Sequence, residues 1–207
     1  GNLAKRFPEG FDKVLIDAPC SGEGMFRKEE AAGTDWSQDT VEMCARRQAE
    51  ILDSGAQLVR PGGRLVYSTC TFAPEENEKM VAQFIENHPE FSTVRPAVYK
   101  FFSPGRPEWA GGQPYLADTM RLFPHLLKGE GHYVAVLVKN GGESGRVKYA
   151  KTVNDKKLLA DWYDFAKKHL KNVEFSNFVL FGSTLYSLPD NTPDFSKLKV
   201  LRAGLQL

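Results

Sequence analysis

Apolar residues fall into two kinds of pattern along this chain. Residues 13–17, Lys-Val-Leu-Ile-Asp, form a short apolar run that closes on Ala18-Pro19. That is the pattern of a buried strand. After Ser37 the spacing becomes helical. Ser37 is a good N-cap and Asp39 lies in the first turn. Val41, Ala45, Leu52 and Val59 then fall near one face, and Pro61-Gly62-Gly63 is expected to stop that helix. Residues 64–68 predict a second strand. Pro74 with Glu75 and Glu76 predicts a further helix start, with Met80, Val81, Phe84 and Ile85 as its buried face and His88-Pro89 as its end. Residues 96–118 have no period and predict an irregular loop. Two late strands are expected at 119–124 and 132–138, turning near Gly129-Glu130-Gly131. Residues 140–145 have linker composition. Beyond them a small module is expected, with a helix near 155–170 and strands near 177–188 and 197–202.

Strand, helix, strand in that order is a βαβ unit, whose strands should be parallel neighbours with a right-handed crossover. The expected fold class is therefore α/β. A partial parallel sheet would occupy residues 1–139, and a small α+β module residues 146–207.

Composition changes this picture little. Hydrophobic residues make up 42% and charged residues 26%, ordinary globular values. No run of 18 apolar residues exists, so no membrane-spanning helix is expected. The net charge of +1 hides an asymmetry. Residues 1–139 carry 16 basic and 19 acidic side chains, whereas residues 140–207 carry 11 and 7. A basic tail suits an RNA partner. Three cysteines fit reduced thiols in the cytoplasm better than a disulfide framework. Neither CxxC pairs nor clustered histidines suggest a metal site.

Open parallel sheets bind ligands beyond the carboxyl ends of their strands. Two segments lie there: Asp17-Ala-Pro-Cys-Ser-Gly-Glu-Gly24 and Ser68-Thr-Cys-Thr71. Each carries a cysteine two or three residues past a strand end, so Cys20 and Cys70 should converge beside Asp17. Cys44, inside the helical pattern, reads as a small core residue. Cys70 precedes the helix expected at Pro74, whose dipole would favour a thiolate. Glu75, Glu76 and Glu78 read mainly as first-turn acids complementing that dipole. Gly22 and Gly24 make no recognisable phosphate loop. Arg27-Lys28 can meet an RNA phosphate or simply be solvated.

Together, residues 17–24, Tyr67-Ser-Thr-Cys-Thr71 and Pro74-Glu-Glu-Asn-Glu78 resemble the Sun/Fmu class of RNA cytosine-5 methyltransferases. Arg60-Pro-Gly-Gly63, Arg121-Leu-Phe-Pro-His125 and Gly131-His-Tyr-Val-Ala135 fit too, and Gly24-Met-Phe-Arg-Lys28 looks like the branch that modifies ribosomal RNA. The resemblance spans roughly residues 3–139. It implies a Rossmann-like methyltransferase with S-adenosylmethionine as donor. It further implies Cys70 as the nucleophile toward cytosine carbon 6, and Cys20 as the residue that helps release the product. Asp17 would line the donor and base pocket, Pro19 would contact the donor, and Arg27 and Lys28 would meet RNA. Ribosomal RNA is the expected substrate ahead of transfer RNA.

Members of that class place a Gly-rich donor loop well before the first cysteine motif, whereas sixteen residues precede Asp17 here. The chain is thus expected to be an inactive fragment with no productive donor binding. The 14–16 strand, normally central, is expected to be an apolar edge that pairs with another copy or a partner, or is covered by a loop. Two other classes compete. A Cys-dependent hydrolase would need His125 or His132 beside Cys70. A non-catalytic RNA-binding module would use Trp162, Tyr163, Phe165, Phe175, Phe178 and Phe181, which at these spacings are more often core.

Overall fold

The structure, a computed structural model, describes residues 2–28, 33, 36–142, 147–172 and 175–207. It divides into two compact units, Gly1–Gly145 and Arg146–Leu207.

The first unit opens with helix α1 (Asn2–Arg6) and strand β1 (Phe11–Asp17). Helix α2 spans Gln38–Ala56, with Ser37 accepting the Thr40 N–H at 3.2 Å as the expected N-cap. Its end differs from expectation. The helix stops at Ala56, and strand β2 (Val59–Thr69) already contains Pro61-Gly62-Gly63. Val59 therefore belongs to the sheet. The glycines absorb a bulge: register passes from Phe11↔Val59 to Lys13↔Arg64, and Gly62 takes a positive φ of 74°. Beyond it β1 and β2 run parallel to Asp17↔Ser68, which bears out the βαβ reading.

Helix α3 (Glu78–Asn87) begins four residues later than Pro74 predicts. Residues 74–77 form a turn instead, in which the Lys79 N–H bonds the Pro74 carbonyl at 2.9 Å. Strand β3 (Phe91–Thr93), not foreseen, and strand β5 (Met120–Leu122) both pair antiparallel with β6 (His132–Lys139). The hairpin of β5 and β6 was expected. Residues 96–118 hold short 3-10 turns and a two-residue strand, β4 (Ser103–Pro104). The main path of the sheet is β1-β2-β6-β5-β4.

Leu65, Tyr67 and Thr69 of β2, and Tyr133, Ala135 and Leu137 of β6, alternate onto one fully buried face. There they pack with Leu52 and Ala56 of α2 and with Met80, Val81 and Phe84 of α3. Close approach needs Gly55: a Cβ there would lie 2.6 Å from Ile16 Cδ1. The opposite face is only half covered, and Leu15 on it is 71% exposed. Strand β1 is thus not buried on both faces as its short apolar run suggested.

In the second unit, helix α4 (Ala160–His169) falls within the expected span. Strands β7 (Phe178–Phe181) and β8 (Thr184–Ser187) form a hairpin, to which β9 (Leu205–Gln206) adds. No strand forms at 197–202 as expected; the last strand lies a few residues later. Phe178 is buried with Leu159 and Leu188, and Trp162 rests 5.3 Å from the Phe175 ring. Tyr163, Phe165 and Phe181 are about half exposed, so the core reading fails for these three. Of the 140–145 linker, residues 143–145 lie outside the described residues.

Candidate active site

The carboxyl ends of β1 and β2 bring Cys20 and Cys70 together. Their sulfurs lie 3.1 Å apart, and the Cys70 N–H donates to Cys20 Sγ at 3.2 Å. Both thiols are partly exposed. Asp17 projects to solvent from the same edge, and its Oδ1 accepts the Ser68 hydroxyl at 3.1 Å. Pro19 is exposed, and its carbonyl accepts Gln48 Nε2 at 2.9 Å.

The two thiols titrate as a pair. The hydrogen bond with Cys20 brings the Cys70 thiol down to about 7 against the opposing effects of burial and of Asp17. The same bond, with burial, pushes the Cys20 thiol up. Cys70 is the stronger candidate nucleophile, because the thiolate is the reactive form. Its activation comes from Cys20 rather than from a helix dipole, since α3 starts only at Glu78. Cys70's side-chain partner is Cys20, not His125 or His132, so a cysteine–histidine hydrolase finds no support. Cys44 is buried in α2, and burial pushes its thiol up.

Two carboxylates, Glu76 fully buried and Glu23 partly so, fix the loops around this pair. Glu76 receives the Ser21 hydroxyl at 2.5 Å, the Ser21 N–H at 3.1 Å and Gln48 Nε2 at 2.7 Å. Burial pushes its carboxyl up while these donors pull it down. Glu23, reaching from the first loop, accepts the Phe72 N–H at 2.9 Å and the Thr71 hydroxyl at 3.1 Å. Gly24 completes the crossing. Its N–H bonds the Cys70 carbonyl at 2.8 Å, and a Cβ there would stand 2.2 Å from the Gly131 oxygen. Gly24 serves this close contact.

Glu78 is the second correction to the expected first-turn acids. Its carboxylate is fully buried against Arg121, whose Nε donates at 2.7 Å, and it also accepts the Arg106 N–H at 2.9 Å. Arg121 in turn donates to the Phe72 carbonyl at 3.1 Å. Glu75 lies in the turn before α3, partly exposed and paired with Lys79 at 2.7 Å. Spacing carried a signal here. Glu78 shares the stripe of Val81 and Ile85, and Gln48 that of Cys44 and Leu52. A polar residue on an apolar stripe marks a buried partner. Arg27 and Lys28 are exposed on the first loop, where Arg27 Nη2 donates to the Gly129 carbonyl at 3.3 Å.

Residues 2–138 match the family model described as 16S rRNA methyltransferase RsmB/F. The chain belongs to this family. Residues 164–207 match a second model, the RsmF rRNA methyltransferase first C-terminal domain. Among similar proteins is the ribosomal RNA small subunit methyltransferase F of Erwinia tasmaniensis. It is 42% identical over 132 residues, covering 64% of this chain and 26% of that protein. The chain thus spans about a quarter of the length of the curated relatives it matches. Two solved structures share the family's Rossmann-like sheet at 30% identity. A methyltransferase homolog from Pyrococcus horikoshii gives a TM-score of 0.53, over 62% of this chain and 39% of that one. NSun6 from Pyrococcus horikoshii, solved with SFG, gives 0.52 over 63% and 30%.

Proposed function

We propose that this chain carries the nucleophile-bearing part of an S-adenosylmethionine-dependent RNA cytosine-5 methyltransferase that acts on ribosomal RNA. The observation that carries the proposal is the thiol pair: two cysteines from adjacent strand ends in contact, one held protonated and the other brought down to about 7. Covalent attack on a pyrimidine needs a thiolate near neutral pH and a second group to manage a proton. The family match and the methyltransferase names of the relatives support the reaction class.

Cys70 adds to carbon 6 of a cytosine turned out of its stack, which makes carbon 5 electron-rich. Asp17 stands beside the thiols to hydrogen-bond the ring as charge develops. Once the Cys70 sulfur is bonded to carbon, its hydrogen bond no longer holds up the Cys20 thiol. Cys20 can then yield its proton to solvent and, as thiolate, take the proton from carbon 5. The carbon 6–sulfur bond breaks and the Cys70 thiolate returns.

S-adenosylmethionine supplies the methyl group when bound, and NSun6 was solved with its analogue SFG. The residues present fit part of such a site. The exposed Asp17 carboxylate at the strand end suits a cationic donor, and exposed Pro19 gives it an apolar contact. No other donor contact is assigned to this chain, so the chain alone is inactive in this reading. Arg27 and Lys28, exposed on the adjoining loop, meet phosphate. The edge of β1, unpaired among the described residues, takes a second strand from another copy or a partner. An RNA substrate and a chain with only three cysteines suit a cytoplasmic protein, and no helix among the described residues is long and apolar enough to cross a membrane.

The test is transfer of a labelled methyl group from S-adenosylmethionine to small-subunit ribosomal RNA, using the protein at the full length of its relatives. Label recovered as 5-methylcytosine, and lost with Cys70→Ala, is expected. Label on another base or another atom overturns the proposal.

A further inference from the structure

We propose that Cys20 and Cys70 are a site of reversible oxidation, closing to an intramolecular disulfide that removes the nucleophile. The thiols already lie 3.1 Å apart, and a disulfide needs about 2.05 Å, so the two sulfurs have roughly 1 Å to close between them. Their backbones leave neighbouring strands, which run about 5 Å apart, within the separation that a disulfide spans. The loops are braced to each other: Glu76 holds Ser21 beside Cys20, and Glu23 holds Thr71 and Phe72 beside Cys70. Gly24 N–H is bonded to the Cys70 carbonyl itself. Fixing the partners in advance removes most of the entropy cost of closing a loop between them.

Access and reactivity agree with this placement. Cys20 and Cys70 are partly exposed residues, whereas Cys44 is buried. Cys70 is brought down to about 7, so a large share is thiolate at neutral pH. Hydrogen peroxide is the oxidant class. The Cys70 thiolate attacks one peroxide oxygen, the O–O bond breaks, and Cys70 becomes a sulfenic acid as hydroxide leaves and takes a proton to form water. The Cys20 sulfur then attacks the Cys70 sulfur, its proton leaves with the hydroxyl as a second water, and the S–S bond forms. Two thiols and one peroxide give one disulfide and two waters. The consequence for methylation rests on the function proposed above; the disulfide itself does not.

The 207-residue chain is reduced, freed of reductant, exposed to hydrogen peroxide, capped with N-ethylmaleimide and digested without reduction for mass spectrometry. A single cross-linked peptide pair joining Cys20 to Cys70 is expected, two hydrogens lighter than its parts. The free thiol count should fall from three to one and return to three with dithiothreitol. Cys44→Ala should give the same cross-link. Cys70 found as sulfinic acid while Cys20 remains open to the cap, or a disulfide through Cys44, overturns the proposal. No RNA or donor enters this test, so the cross-link forms or fails whatever the full-length protein does to RNA, and the two proposals fail separately.

Discussion

Cys20 and Cys70 share a proton unequally, and this division is the residue-scale core of the site. Because the bond from Cys20 is the largest cause of the lowered Cys70 value, the rate of Cys70 alkylation by iodoacetamide under reducing conditions should rise with pH around a midpoint of about 7. In Cys20→Ala the midpoint should move up toward about 8.5, the value of an ordinary thiol. An unchanged midpoint would assign the activation to something other than Cys20. Much of this was legible in the sequence: two cysteines just past two strand ends, fifty positions apart, had to meet if the strands were parallel neighbours. What activates Cys70 was not legible. The start signals at Pro74 pointed to a helix dipole, but the turn at 74–77 delays α3, and a thiol–thiol bond depends on side-chain rotamers that no spacing encodes.

At the scale of elements, buried acids clamp the strand-end loops. Glu78 and Arg121 form an ion pair with almost no exposure, closed by the Arg106 N–H and the Phe72 carbonyl. Breaking a buried pair leaves an uncompensated charge and costs about 3–5 kcal/mol. Arg121→Met should therefore destabilise the first unit by that order in urea unfolding, and adding Glu78→Leu should recover part of the loss. A loss under about 1 kcal/mol would mean that water already reaches the pair. Glu76→Ala removes the anchor of Ser21. It should raise the Cys70 alkylation midpoint, by less than Cys20→Ala does, because the thiol contact opens while the smaller upward push of the Glu76 charge is lost. A midpoint that stays near 7 would show that the contact holds without this anchor. Glu76 and Glu78 read as helix-start acids by sequence because first-turn carboxylates are the commoner case. Their burial depends on Gln48, Arg121 and Ser21, which lie far away in sequence.

The whole first unit is a sheet covered fully on one face and partly on the other, with β1 at its edge among the described residues. Leu15 faces solvent, and β1 pairs only with β2 among the described residues. Unpaired apolar edges recruit strands. Sedimentation velocity should therefore show association that grows with concentration, and a monomer at every concentration would contradict it. Because only Asp17 and Pro19 of this chain are assigned to the donor, calorimetry should find S-adenosylmethionine binding weaker than micromolar. Micromolar binding would show that the chain holds more of the donor site than these two residues. The parallel pair and the late hairpin were visible in the apolar periods. Strand β3 and the bulge at Pro61-Gly62-Gly63 were not, because three residues are too few for a period and a glycine bulge looks like a helix stop.

The central claim, that Cys70 bonds to cytosine, is tested most directly by trapping that bond. Protein at the full length of its relatives, carrying Cys20→Ala, is incubated with ribosomal RNA and S-adenosylmethionine and then run under denaturing conditions. The account predicts a protein–RNA adduct that survives denaturant and disappears when Cys70→Ala is added. Methylation that proceeds in Cys70→Ala, with no adduct in Cys20→Ala, would contradict it.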